Sequence, residues 1–186
     1  CSDGGRRAYY CVLHNFYTWL YSRKSGYNLD KEDNPILDVD APKVGKKILP
    51  SLTIEQVEEI INQAKCTRDK AIVSLFVDSG LRLTEIANID SRNIDWERRL
   101  IKVRIKGGRE GLATFGQRTE TLLRQWLTEY KTKDKLWDIN ANGIKTILRR
   151  LSDRSGIVFT AHVFRRTFAS ILAKRNVDSL HIMRLG

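Results

Sequence analysis

Ile101-Lys102-Val103-Arg104-Ile105-Lys106-Gly107-Gly108 alternates apolar and basic residues and then reaches two glycines. A period of two puts Ile101, Val103 and Ile105 on one face of a strand and Lys102, Arg104 and Lys106 on the other. Gly107-Gly108 supplies a turn, and Gly111-Leu112-Ala113-Thr114-Phe115 reads as the return strand. The prediction is one antiparallel hairpin with a basic rail opposite its apolar face.

Outward from this hairpin the apolar spacing becomes helical. Upstream, Ile54, Val57, Ile60 and Ile61 follow an N-cap offered by Ser51-Leu52-Thr53. A second helix is predicted from about Arg68 to Asp78, ending at Gly80, and a third starts near Arg82 and carries Leu83, Ile86 and Ala87. Downstream, one helix carries Leu122, Leu123, Trp126, Leu127 and Tyr130, and the next Ile144, Ile147, Leu148 and Leu151. A third carries Phe164, Phe168, Ile171 and Leu172, and Asp178 can cap a last short one. The expected class is mainly α with a small antiparallel β-sheet (α+β).

Near the start, Val12, Leu13, Phe16, Trp19 and Leu20 form a helical stripe between about Arg7 and Tyr21. The stretch from Val39 to Lys47 carries Pro, Gly and three lysines without periodicity, which is linker composition. One helix does not make a domain. Residues 1–38 are therefore expected to be the end of a helical domain, 39–50 a linker and 51–186 the main domain. The sequence begins at Cys1 and stops inside a pattern at His181-Ile182-Met183-Arg184-Leu185-Gly186, so it reads as a piece of a longer protein.

Composition narrows the partner. The 186 residues carry 33 Lys plus Arg against 22 Asp plus Glu, a formal charge of +11 with acids interspersed. A folded basic surface facing a polyanion fits this better than a disordered basic tail. Cys1, Cys11 and Cys66 are odd in number and lack metal-ligand spacing, so neither a disulfide framework nor a zinc site is indicated, and a reducing cytoplasm is expected. No apolar run approaches the ~20 residues that span a bilayer. A Gly-rich phosphate loop followed by Lys-Ser or Lys-Thr is also absent, which argues against nucleotide hydrolysis.

Three groups of residues can carry chemistry. In Ser79-Gly80-Leu81-Arg82-Leu83-Thr84-Glu85-Ile86, Gly80 allows a sharp turn that leaves Arg82 at a fresh helix start, with Glu85 on the same face to orient it. A surface ion pair explains the same residues. Lys106, at the hairpin tip, can reach a leaving oxygen and give it a proton, although hairpin lysines also serve solubility. In Ala161-His162-Val163-Phe164-Arg165-Arg166-Thr167-Phe168, a Thr160 cap would put His162 and Arg165 one turn apart on one face. A guanidinium beside an imidazole suits a phosphodiester; a core-edge His with a solvated Arg is the alternative.

Taken together and in order, Gly80-Leu81-Arg82-Leu83-Thr84-Glu85, Lys106-Gly107-Gly108 and His162-Val163-Phe164-Arg165 resemble three signatures of the tyrosine recombinases (phage integrases). The likeness runs from about Pro50 to Gly186; residues 1 to about 40 are similar, more loosely, to the end of the family's core-binding domain. The resemblance implies that Arg82 and Arg165 clamp a scissile phosphate, that Lys106 is the general acid and that His162 bonds the phosphate and helps move a proton. Glu85 would hold Arg82. Lys102 and Arg104 would contact DNA, and Arg166, standing where the family often has a second His, would have a DNA-backbone or structural role. The return strand also lacks the Pro often found there.

The resemblance further implies a site-specific recombinase that cleaves and rejoins double-stranded DNA through a 3′-phosphotyrosyl link, needing no cofactor and no metal. Such enzymes act as homo-tetramers on two DNA sites and come from bacteria, phages or mobile elements. None of Tyr9, Tyr10, Tyr17, Tyr21, Tyr27 or Tyr130 stands in the nucleophile's context, and Leu185-Gly186 resembles the dipeptide ahead of it. The 186 residues alone are therefore expected to form no covalent adduct. A type IB topoisomerase-like enzyme and a non-catalytic DNA-binding relative are the alternatives.

Overall fold

The structure, a computed structural model, describes residues 2–45, 49–105, 108–131 and 134–175. The chain divides into two compact units, Cys1–Leu49 and Pro50–Gly186.

In the first unit α1 spans Asp3–Leu20, and the Ser2 hydroxyl accepts from the Gly5 N–H at 3.2 Å to cap it. Three 3-10 turns follow, at Arg23–Ser25, Lys31–Asp33 and Pro35–Asp38. Asn34 caps the last of them by accepting from the Ile36 N–H, and both residues are buried. The helical stripe forms but finds little cover: no residue of α1 is buried, and Val12, Leu13, Phe16 and Trp19 remain exposed. One helix and three short turns cannot enclose an apolar face.

The second unit is built around one buried helix. Its helices are α2 (Ile54–Asn62), α3 (Thr67–Ser79), α4 (Leu83–Ala87), α5 (Gln117–Glu129), α6 (Ala141–Ser155) and α7 (Ala161–Lys174). A capping box starts α2: the Thr53 hydroxyl accepts from the Gln56 N–H while the Gln56 side chain accepts from the Thr53 N–H. The run Ala71-Ile72-Val73-Ser74-Leu75-Phe76 leaves α3 apolar nearly all round, and all six residues are buried. A helix without a polar side must be covered on every side. Accordingly α2, α5 and α7 all pack on it. Phe164 of α7 stacks on Phe76 with ring centroids 5.6 Å apart.

The sheet is β1 (Ile94–Asp95), β2 (Leu100–Arg104) and β3 (Glu110–Thr114), antiparallel in that order. In β2 the alternation holds: Ile101 and Val103 are buried, while Lys102 and Arg104 are exposed. The register pairs Ile101 with Ala113 and Lys102 with Leu112, and Gly108 takes φ +77° in the turn. β1 is not legible in the sequence, because two residues are too few to show a period.

Two indoles tie the loop after α5 into the core. Trp126 Nε1 donates to the Leu136 carbonyl, and Trp137 Nε1 to the Ile86 carbonyl, each at 2.8 Å. The second bond reaches α4, whose single turn and a half could not hold its place by helix hydrogen bonds alone.

Candidate functional site

The turn between α3 and α4 depends on Gly80. It closes α3 at φ +60°, a left-handed conformation that a side chain disfavours. It also has no room for a side chain, since a Cβ there would lie 2.2 Å from Cδ1 of Phe168. The turn puts Arg82 at the N-cap position of α4 in extended backbone. Glu85 reaches back, accepting from the Arg82 N–H at 2.8 Å and from its Nη1 at 2.9 Å. The Glu85 side chain is 5% exposed and that of Arg82 42%, so a buried carboxylate aims a solvent-facing guanidinium.

Arg165 arrives from α7. Its Nη1 donates to the Gly80 carbonyl at 2.6 Å, which ties α7 to the turn that carries Arg82. Burial, then the charge of Arg82, pushes its guanidinium below the usual value, with Glu85 offsetting part of the effect. The repulsion shows that the two guanidinium groups share one neighbourhood. That costs energy in the free protein and is relieved by a bound anion.

Thr160 sits at the N-cap position of α7 in extended backbone, but its side chain makes no capping hydrogen bond. The position was legible; the bond does not form. The buried residues of α7 are Val163, Phe164 and Thr167, whereas Phe168, Ile171 and Leu172 are only half-buried. The covered stripe is therefore shifted toward the helix start, and Phe168 is used to fill the space above Gly80.

Arg82, His162 and Arg165 line one cavity of about 570 Å³, whose floor includes Leu81, Leu83, Leu148 and Phe159. A second cavity of about 770 Å³ shares Arg82 and Glu85's neighbourhood with Lys102, Arg104 and Ile105. Six of the candidate residues, Arg82, Glu85, Lys102, Arg104, His162 and Arg165, thus meet on two cavities joined at Arg82. Arg166 lines neither; its Nε donates to the His162 carbonyl at 3.3 Å. Lys106 lies outside the described residues, as do Gly107, Asp178, His181 and Leu185-Gly186.

Two cations on the first cavity were missed from the sequence. Lys145 and Arg149 stand one turn apart on α6 and line it together with Thr146 and Ser152. The apolar stripe of α6 placed the helix, and its polar face read as a solvated surface. Among the described residues, no helix is long and apolar enough to cross a membrane.

Comparison with known proteins settles the class. The family model described as "Phage integrase family" matches residues 50–186. The chain belongs to the phage integrase family. It is 34% identical over 145 residues to tyrosine recombinase XerA of Saccharolobus solfataricus, covering 77% of this chain and 50% of that protein. Against tyrosine recombinase XerA of Thermococcus onnurineus it is 30% identical over 183 residues, covering 89% and 61%. The chain thus spans about half to three-fifths of these relatives.

Solved structures agree on the fold. A crystal structure of XerA recombinase matches with a TM-score of 0.69 at 21% identity, covering 95% of this chain and 73% of that one. A lambda integrase fragment bound to DNA matches at 0.74 with 14% identity, covering 98% and 69%.

Proposed function

We propose that this chain is the strand-cleaving part of a site-specific DNA recombinase. The observation that carries the reading is the meeting of Arg82, His162 and Arg165, drawn from α4 and α7, on one cationic cavity with a buried carboxylate behind it. Family membership of residues 50–186 supports it, as do relatives named as tyrosine recombinases.

The substrate is double-stranded DNA. A tyrosine supplied from outside these 186 residues attacks the scissile phosphorus, forming a 3′-phosphotyrosyl bond as the bond to the 5′ oxygen breaks. Arg82 and Arg165 hold the non-bridging oxygens and neutralise the charge that grows on them. Lys106 protonates the departing 5′ oxygen, and His162 bonds the phosphate and assists the proton leaving the tyrosine. The energy of the broken bond is kept in the covalent link, so the reverse attack by a 5′ hydroxyl reseals the strand without ATP. Lys102 and Arg104 follow the backbone beside the site. Residues 1–38 end a helical core-binding domain, and four copies act on two sites.

The test is a nicked suicide substrate with the intact protein. Arg82→Ala or Arg165→Ala should abolish the covalent adduct while much of the DNA binding remains. A normal adduct yield from either variant would show that the clamp is misassigned. Lys106→Ala should slow cleavage, and a 5′-bridging sulfur, which leaves without a proton, should restore it; no rescue removes the general-acid role. Supercoil relaxation without exchange between two sites would replace recombination as the outcome of this chemistry.

A further inference from the structure

The Leu52 N–H donates to the Thr167 hydroxyl at 2.9 Å, across 115 positions of sequence. Leu52 stands just ahead of Thr53, the N-cap of α2, so its amide belongs to no helix or strand and must find an acceptor elsewhere. The second unit begins at Pro50. The segment by which the chain enters that unit is therefore hooked to α7, the helix that carries His162 and Arg165.

Thr167 suits this bond better than it suits its helix. It lies inside α7 and is 1% exposed. Threonine is a weaker helix former than alanine or leucine. Its hydroxyl also donates back to the Val163 carbonyl at 2.9 Å, a bond that tends to bend a helix. A valine would fill the same space without a polar atom. With its proton directed at Val163, the hydroxyl keeps lone pairs for the Leu52 N–H.

What the hook holds is the turn 163–167, which follows His162 directly and contains Arg165. The start of α7 lends this turn little support, since Thr160 makes no capping hydrogen bond. Arg165 is tied to the Gly80 carbonyl. Thr167, two residues on, lies about 200° further around the helix. The turn is thus held from two sides, by the joint of α3 and α4 at Arg165 and by the entry segment at Thr167.

We infer that Thr167 is a positioning residue, which couples the entry segment, residues 50–52, to the turn of α7 that aims His162 and Arg165. The placement of that segment then sets the geometry of cleavage. The inference rests on the strand-cleaving reading above. Thr167 is buried away from any substrate and acts through the backbone of its helix.

The experiment compares T167V and T167S in the intact protein, by the rate of adduct formation on a nicked suicide substrate at saturating DNA. T167V keeps the volume and loses both hydrogen bonds. It should slow the adduct about tenfold, because small misplacements of reacting groups cost rate, while DNA affinity stays as in wild type. T167S keeps the hydroxyl and should keep the wild-type rate. Two glycines inserted after Gly45, ahead of the hook, should slow the wild type and add nothing to T167V. Hydrogen exchange on the 186-residue chain reads the bond without the chemistry: the Leu52 amide should exchange faster in T167V than in T167S.

A normal rate in T167V, or an equal loss in T167S, overturns the positioning role. So does a parallel loss of DNA affinity, which would mark damage to the fold. An insertion whose cost multiplies onto that of T167V overturns the coupling to the entry segment. No adduct from the wild-type protein sinks the cleavage reading on which the inference rests, whatever the exchange of Leu52 shows.

Discussion

Arg165 Nη1 donates to the Gly80 carbonyl at 2.6 Å, although 85 positions separate the two residues in the chain. The bond fixes the guanidinium of α7 to the backbone that turns Arg82 into place. Gly80 thus does three things: it adopts φ +60°, it makes room for Phe168 and it anchors Arg165.

Gly80→Ala should therefore be among the more damaging small substitutions in the chain. The left-handed backbone costs about 1–2 kcal/mol with a side chain. Overlap with Phe168 costs about 1–3 kcal/mol more as the ring is displaced. Urea denaturation should show a loss of roughly 2–5 kcal/mol. Adding Phe168→Ala should recover only the overlap, because the backbone cost remains. An unchanged midpoint in Gly80→Ala would contradict both reasons.

Asp78 offers a second test, on the joint between α3 and α5. Its Oδ2 accepts from the Gly116 N–H at 2.8 Å and from the Thr119 hydroxyl at 2.6 Å, so it caps α5 from another helix. Thr119 is 1% exposed, and water cannot easily replace the lost acceptor. Asp78→Ala should cost about 1–3 kcal/mol by denaturant unfolding, since two donors lose their partner. Asp78→Asn keeps an oxygen there and should cost less. Equal losses would mean that charge, not acceptance, is what the site needs.

What was legible in the sequence was whatever is local. Lys102 and Arg104 alternate with Ile101 and Val103 over a few residues, so strand and face could be read together. The stop at Gly80 and the reach of Glu85 to Arg82 span three or four residues and were equally readable. Non-local facts were hidden. Nothing in the text says that Arg165 will meet the Gly80 carbonyl, that Trp137 will hold α4, or that Lys145 and Arg149 will face Arg82. Motif order brought Arg82, His162 and Arg165 together in advance only through the family resemblance. Spacing alone left each of them as an ordinary surface charge.

Acid should loosen the loop beside the second cavity first. Asp90 accepts from Arg92, through its Nε at 2.9 Å, its Nη2 at 2.5 Å and its backbone N–H at 2.9 Å. Those bonds, the side-chain ones foremost, hold its carboxyl down at about 2. Glu120 is likewise held below the usual carboxylate range, by Arg99 and then Arg124. A depressed folded pKa adds stability that is present above the unfolded value, about 3.9 for Asp. It is lost as pH falls from there through the folded value. The melting temperature should therefore fall between pH ~4 and 2. Asp90→Asn should flatten part of that fall; a variant that follows the wild-type curve would show that the pair contributes nothing.

Glu85→Gln separates aim from charge at the clamp. The carboxylate accepts two bonds from Arg82, one from its backbone and one from its guanidinium, and it is almost completely covered. A glutamine has one accepting oxygen, and its amide N–H₂ must face one of the two donors. Arg82 then loses its fixed direction, and Arg165 loses the carboxylate that offsets the repulsion between them. The cleft becomes more positive by one charge, so DNA affinity should hold or rise, with the salt dependence retained. Adduct formation by the intact protein on a suicide substrate should nonetheless drop by about tenfold or more, since misdirecting a clamp costs rate without costing attraction. If affinity and adduct yield fell together, Glu85 would be holding the fold and not the aim of Arg82.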